Sequence, residues 1–242
     1  MPSSSHRPRK RFGQHFLHDP RVLARIVDAL ALSKNDFVVE IGPGEGVLTS
    51  LLVDKVAGLE VIEIDRDLAA RLDRVKVHVA DALEFDYSIF PKGVRLIGNL
   101  PYNISTPLLF RLAAFAHLVR DMHFMLQLEV VERMVAPPST PEYGRLSVAL
   151  QARFRMKKLF NVGRGAFRPP PRVDSAVVRL EPLPQILEIN EDLLRRAFSA
   201  RRKTLRNALP GVDFAAAGID PTLRPENLSP ADYARLSMNS IL

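Results

Sequence analysis

The stretch Asn99-Leu100-Pro101-Tyr102 follows the apolar, strand-like run Val94–Gly98, and its residue types suit one kind of chemistry. An exocyclic adenine amine is a poor nucleophile because its lone pair is delocalised into the ring. Acceptors placed around the two N–H groups favour a pyramidal nitrogen and free the lone pair for in-line attack. The Asn99 side-chain oxygen and a backbone carbonyl of the Leu100-Pro101 turn are acceptors of that kind. Pro101 removes one backbone donor and stiffens the turn. Tyr102 offers a π face on which a base can stack, worth about 1–3 kcal/mol. Alignment and electrostatics then carry a methyl transfer, and the amine proton leaves to water afterwards. A strand-end turn with an ordinary packed tyrosine is the alternative.

Upstream, Val38-Val39-Glu40-Ile41-Gly42-Pro43-Gly44-Glu45-Gly46 reads as a strand, a glycine turn and the start of a helix. Glycines at such a turn let the backbone approach a ligand. The spacing is G-x-G-x-G, with Val47 where a dinucleotide fingerprint wants glycine, which argues against a nicotinamide cofactor. Glu63 lies 21 positions beyond Gly42 and closes the next strand, where an acidic side chain meets a ribose diol. Asp81 closes the third strand and can accept from an adenine amine, and Asn99 closes the fourth. Polar residues at the carboxyl ends of successive parallel strands converge on one crevice. Taken singly, Glu63 or Asp81 is better explained as a helix cap or loop residue.

The elements that must hold these residues alternate. Pro20–Leu32 has helical spacing with Asp19 as N-cap and Pro20 in the first turn. Strands are expected at Phe37–Ile41, Leu59–Ile64, Val75–Ala80, Val94–Gly98, Met122–Leu128, Leu146–Phe154 and Ala176–Leu180. Helices are expected near Val47–Lys55, Asp67–Arg74, Thr106–Ala116 and Glu129–Val135. The alternation predicts an α/β fold with a mostly parallel sheet covered on both faces, ending in an antiparallel edge. Gly163–Pro171 reads as a loop, and Pro182 and Pro184 mark a boundary. Beyond them, residues 190–210 read as one helix, and Leu228–Met238 as another, capped by Ser229.

The chain has 242 residues and is 47% hydrophobic and 25% charged, so one sizeable domain plus a small appendage is expected. It contains no cysteine, which rules out disulfides and thiolate metal sites and fits a reducing cytoplasm. No run approaches a membrane span, the N-terminus lacks the apolar core of a secretory signal, and no metal site is expected. The net charge of +7 is segregated. Residues 1–30 carry six Lys/Arg against two Asp/Glu, residues 31–150 carry twelve against sixteen, and residues 151–242 carry sixteen against nine. Two basic flanks around an acidic middle suit a polyanion held from two sides. The candidate contacts are an N-terminal arm (Arg7, Lys10, Arg11) and the cluster Arg195, Arg201, Arg202, Lys203 and Arg206. Phosphate contacts of this kind position RNA, while a pocket selects the base.

The strings KRFGQHFL, EIGPGEG, VIEIDRDLAARL, NLPYNISTPLLF, FMLQLEVVERMVAPP, YGRLSV, FRPPPRVDSAVVRL and RRKTLRNAL cover nearly the whole chain. Together they resemble the small-subunit (16S) rRNA adenine N6,N6-dimethyltransferases of the KsgA/RsmA type. The resemblance implies a Rossmann-like, S-adenosylmethionine-dependent methyltransferase fold with a seven-stranded, mostly parallel sheet and a small helical C-terminal domain. It implies three parts: residues 1–18 as a basic arm and cofactor-closing segment, 19–181 as the methyltransferase domain, and 182–242 as an RNA-binding domain.

The resemblance also assigns roles. Gln14, His15 and Leu17 would close over the methionine end of S-adenosylmethionine, and Gly42 and Gly44 would lie beside it. Glu63 with Ile64 would hold the ribose side, Asp81 with Ala82 the cofactor adenine, and Asn99 would stand between cofactor and target. Catalysis would fall to Asn99, Leu100, Pro101 and Tyr102, with Phe167 covering the far face of the target base. The substrate would be two adjacent adenosines in the 3′-terminal hairpin loop, each methylated twice. The protein would act as a cytoplasmic monomer on the immature small subunit. Many members of that family have Asn where His15 stands, and the linker before VIEID is short for the family. Rival readings are an erythromycin-resistance type methylase of large-subunit RNA, a DNA adenine methylase, a small-molecule methyltransferase and a non-catalytic assembly or transcription factor. A DNA adenine methylase more typically carries an acidic residue in place of Asn99. The factor would be expected to show a damaged glycine turn or NLPY string.

Overall fold

Continuous apolar strands are stable only when both sheet faces are covered, and the computed structural model, which describes residues 14–239, arranges them so. Five strands are parallel: β2 (Phe37–Ile41), β3 (Gly58–Glu63), β4 (Lys76–Val79), β5 (Val94–Asn99) and β6 (Val119–Gln127). With β7 (Phe154–Val162) and β9 (Ser175–Pro182) they form a seven-stranded sheet in the order β4-β3-β2-β5-β6-β9-β7. β9 runs antiparallel to β6. A separate ribbon pairs β1 (Phe16–Leu17) with β8 (Phe167–Arg168).

Between strands the chain makes α1 (Pro20–Leu30), α2 (Val47–Leu52), α3 (Arg66–Ala69) and α4 (Ser105–Ala113). The Asp19 carboxylate accepts from the amides of Arg21 and Val22 and starts α1, as its sequence predicts. Leu23, Ile26 and Leu30 of α1 then pack with Val38, Ile97 and Met125 from the sheet. The order reverses between β2 and β5, and both strands end there on the same side as β3 and β4. That is the switch point at which open α/β sheets bind ligands.

Chain contacts divide the protein into two compact units. The first holds residues up to 131 together with 157–181, and the second holds 132–156 together with 182–242. The sequence reading keeps 132–156 with the sheet. The structure groups it with the C-terminal helices because Ala136, Tyr143, Val148 and Ala152 share a core with Leu193, Leu205, Tyr233 and Leu236.

The expected strand at Leu146–Phe154 is therefore largely the helix α6 (Arg145–Gln151), following α5 (Leu128–Val135). Ser147 bonds the Gly144 amide and the Arg133 carbonyl, which stabilises the helix start against an extended alternative. The strand itself moves downstream to β7, an edge strand whose exposed Arg155, Lys157 and Lys158 disguise its alternation.

Two further expectations change. Asp67–Arg74 shrinks to the single turn α3, and 190–210 breaks into α7 (Glu191–Ser199) and α8 (Leu205–Ala208) with α9 (Pro230–Met238) following. The break is held by backbone bonds that leave the helix register: Leu205 and Arg206 donate to the carbonyls of Leu223 and Pro221. Ser229 caps α9 as read.

A buried ionic group fixes the lower ends of the central strands. Arg95 of β5 donates from Nε and Nη2 to both Asp121 oxygens at 2.9 Å, from Nη1 to Asp36 at 2.6 Å, and from Nη2 to the last carbonyl of α1, Leu30, at 2.6 Å. Burial alone would raise the Asp121 carboxyl, but the neighbouring His123 and Arg95 hold it down at about 2. Removing the guanidinium would strand two buried carboxylates. Arg95→Leu is therefore expected to lose about 3–5 kcal/mol in urea unfolding. Arg120→Ala, which removes a 58% exposed partner of Asp36, should lose less than about 1 kcal/mol.

Candidate active site

Where the parallel strands end, a cleft opens that is lined by residues of the first unit alone. It encloses about 1420 Å3 of atom-free space, part of it open solvent. The sequence-selected residues Gln14, His15, Leu17, Gly42, Gly44, Glu63, Ile64, Asp81, Ala82, Asn99, Leu100, Pro101 and Tyr102 all line it.

At the glycine turn the backbone is left-handed, with φ of +67° at Gly42 and +59° at Gly44. A Cβ on Gly44 would lie 3.0 Å from the Phe16 ring, so the β1 ribbon packs directly on this turn. The Gly44 amide donates to Glu63 Oε2 at 3.2 Å and the Asp65 amide to Oε1 at 2.9 Å. Burial raises the Glu63 carboxyl above its ordinary range, against these hydrogen bonds. Ile64 beside it is 44% exposed, an apolar surface turned to the cleft. Asp81 bonds the Leu83 amide at 2.8 Å, which fixes the turn after β4.

Two acceptors stand open at the end of β5. The Asn99 amide nitrogen donates to the His15 carbonyl at 2.9 Å, so its Oδ1 must point the other way. That oxygen makes no hydrogen bond among the described residues. In the following turn, the carbonyls of Pro101 and Tyr102 are taken by the Ile104 amide and the Ser105 hydroxyl. The Leu100 carbonyl accepts none among the described residues, so the structure selects it from the turn. Gly98 permits this approach: a Cβ there would lie 2.4 Å from the Ile41 carbonyl of β2. Tyr102 is fixed by a 2.6 Å bond between its hydroxyl and Ser175 of β9. Burial raises its phenol above the ordinary range.

One expected partner is elsewhere. Phe167, read as the far wall of a base sandwich, is 2% exposed, packs in the core with Leu17, Met125 and Val177, and does not line the cleft. Its β8 position opposite Leu17 turns the ring inward. The ring that faces Tyr102 is His15, with centroids 5.5 Å apart and planes at 30°. His15 Nδ1 lies 2.8 Å from the Pro169 carbonyl, which can only accept, so the proton sits on Nδ1.

The residues that sequence reasoning passed over are Glu40, Thr49, His123 and Ser175. Glu40 is an acid inside the apolar run FVVEI, a signal visible in the chain. Its Oε2 takes the Thr49 hydroxyl at 2.6 Å, and burial pushes its carboxyl up to about 7. His123 also lines the cleft, buried, with Nδ1 3.5 Å from the Asp121 carboxylate and neither ring nitrogen within good hydrogen-bond geometry of a partner among the described residues.

No lysine or arginine lines the cleft among the described residues, while Glu40, Glu63 and Asp81 do. Such a lining disfavours a pyrophosphate and favours a ligand with positive charge, apolar area and hydroxyls. These residues fit S-adenosylmethionine: the acids suit its sulfonium and ammonium, Glu63 its ribose, and Ile64 and Ala82 its adenine.

The family model for "Ribosomal RNA adenine dimethylase" matches residues 5–239. The chain belongs to the ribosomal RNA adenine dimethylase family. Its relatives include the "Ribosomal RNA small subunit methyltransferase A" of Aromatoleum aromaticum, 55% identical over 97% of this chain and 94% of that protein. The protein of the same name from Chromobacterium violaceum is 52% identical over 97% of this chain and 96% of its own. Among solved structures, a dimethyladenosine transferase from Plasmodium falciparum superposes with a TM-score of 0.79 at 28% identity, covering 92% of this chain and 96% of that one. The 23S rRNA methyltransferase ErmE follows at 0.70 and 26%, covering 93% and 98%. The fold of this dimethylase is thus the Rossmann-like one of S-adenosylmethionine-dependent methyltransferases, and the chain is an enzyme.

In this dimethylase the buried Glu40 keeps its proton in the folded state at pH values where the unfolded chain has lost it. Its contribution to stability is therefore highest below about pH 4.5, falls as pH rises to about 7, and is constant above. The loss amounts to about 3 kcal/mol. Glu40→Gln, which can still accept from Thr49, is expected to melt higher than the parent at pH 8 and level with it near pH 4.5, by thermal denaturation without cofactor.

Proposed function

We propose that this chain transfers methyl groups from S-adenosylmethionine to N6 of two adjacent adenosines in the 3′-terminal hairpin loop of small-subunit (16S) rRNA, twice each. The observation that carries this reading is the pair of open acceptors beyond β5, Asn99 Oδ1 and the Leu100 carbonyl, beside a cleft with an acidic lining. Relatives at 55% and 52% identity bear small-subunit names, which favours that RNA over the large-subunit substrate named for ErmE.

Glu40 and Glu63 would face a cationic cofactor in this cleft, with Asp81 at the neighbouring strand end, and the left-handed Gly42 and Gly44 bring backbone close to it. When bound, S-adenosylmethionine supplies an electrophilic methyl carbon. Asn99 Oδ1 and the Leu100 carbonyl accept from the two N6–H groups and hold the nitrogen lone pair toward that carbon. Tyr102, pinned by Ser175, supports the base from one face. The proton lost from N6 passes to water. Extrusion of the target is least costly from a loop, where the adenosines are already weakly stacked.

RNA contact outside the pocket falls to Arg202, Lys203 and Arg206, which are exposed and whose side chains make no hydrogen bond or ion pair among the described residues. Two expected members of this cluster are engaged within the second unit. Arg201 bonds Glu226 and the Pro141 carbonyl, and Arg195 pairs with Asp192. The arm residues Arg7, Lys10 and Arg11 lie outside the described residues. No helix among the described residues is long and apolar enough to cross a membrane. We place the enzyme in the cytoplasm as a monomer acting on immature small subunits.

Labelled methyl transfer to purified, under-methylated small subunits, mapped by mass spectrometry, is expected to yield dimethyladenosine at two adjacent positions. Label confined to large-subunit RNA overturns the reading. In the same assay Tyr102→Ala should lose about 10–100-fold in turnover, the equivalent of one missing base stack, while still binding S-adenosylhomocysteine. Reversing Arg202 and Lys203 to Glu should weaken particle binding and flatten its salt dependence, and an unaltered salt slope returns them to an idle surface.

A further inference from the structure

The loop between β7 and β9 carries three guanidinium groups that the proposed function leaves unused. Arg164, Arg168 and Arg172 are exposed, and none of their side chains has a hydrogen bond or ion pair among the described residues. The loop is not an idle surface turn, because it is pinned to the target corner at three points. Arg168 is in register with Phe16, next to the His15 whose ring faces Tyr102. The Pro169 carbonyl accepts a hydrogen bond from His15 Nδ1 at 2.8 Å. Ser175 holds the Tyr102 hydroxyl at 2.6 Å. A further bond, from the Arg164 amide to Asp174 at 3.1 Å, closes the loop on itself.

Charge around the corner is divided. The cofactor side presents Glu40, Glu63 and Asp81 and no lysine or arginine among the described residues, so it offers an approaching polyanion no cation to bind. On the β8 side, the three exposed arginines share their loop with one acid, Asp174, whose carboxylate the Arg164 amide already engages. Exposed Pro169 and Pro170, with Val173 at 45% exposure, add a stiff apolar shoulder between the cations. Arginine suits phosphate because its planar fork can donate two parallel hydrogen bonds.

We propose that this loop is a phosphate clamp: Arg168 and Arg172, with Arg164 behind them, hold the backbone phosphates flanking the target adenosine while its base enters beside Tyr102. The clamp rests on the RNA methylation reading above but assigns a contact within the first unit, separate from the Arg202 cluster of the second. Because its anchors are the residues that shape the base slot, phosphates held there fix where the extruded base lands.

The test uses the full chain and purified, under-methylated small subunits. Arg168→Gln with Arg172→Gln is expected to make the plot of log affinity against log salt shallower by about 1.4, at about 0.7 for each single-strand phosphate no longer neutralised. KM for the particle should rise about tenfold, while S-adenosylhomocysteine binding stays at the parent value. Arg168→Lys with Arg172→Lys should keep the parental slope, since charge is retained. An unchanged slope in the Gln pair overturns the clamp, as does an equal loss in the Lys pair, which would mark a structural role. Methylation by the parent chain is scored separately. Its absence removes the functional reading, whereas normal methylation with an unaltered slope removes the clamp alone.

Discussion

The hydrogen bond from the Asn99 amide to the His15 carbonyl, 2.9 Å long, is the contact on which the site depends. A carboxamide has one donating and one accepting end, so engaging the nitrogen decides where the oxygen points. Both halves of the bond are set by other parts of the fold. Asn99 is delivered by β5 in register with Met125 of β6, and His15 by the β1–β8 ribbon that packs on Gly44. An aspartate at position 99 would lack the donor and would place a charge against a carbonyl. An alanine would remove both ends at once.

Around that bond the first unit separates two kinds of charge. The sheet's carboxyl ends present acids toward the cofactor side, and burial keeps two of them, Glu40 and Glu63, easier to protonate than ordinary carboxylates. The arginines of the β7–β9 loop are exposed, in a loop tied to the same corner through Pro169 and Arg168. The opposite end of the same strands follows other rules. There Arg95 makes four hydrogen bonds to Asp36, Asp121 and the end of α1, which hold the central strands to one another and to the helix.

The parts of the fold that were legible in the sequence are those governed by short-range rules. Asp19-Pro20 and Ser229-Pro230 start helices because a carboxylate or hydroxyl bonds the first free amides locally, and both do so. The glycine turn and the acid-ended strands were legible because chain order fixes which ends of parallel strands are neighbours. The failures share a cause. Leu146–Phe154 alternates like a strand but is mostly helix because its apolar residues meet those of α7 and α9, partners from 40 to 90 positions away. Residues 190–210 have a continuous helical pattern, yet bonds to Pro221 and Leu223 interrupt it. Phe167 is assigned to the far face of the target base by the family resemblance alone, and its pairing with Leu17 places it as a core ring.

Residue types and their order were readable in the chain alone: an amide, a carbonyl and an aromatic ring after one strand, acids after the others, and cations at both flanks. Covalent spacing and strand direction are enough for that. Tertiary structure alone decided which of those groups remain open. Among the described residues, Asn99 Oδ1 and the Leu100 carbonyl are left without partners, Arg201 and Arg195 are taken by Glu226 and Asp192, and Phe167 is buried. Availability of a polar group depends on what long-range folding places beside it, and no local pattern in the chain records that.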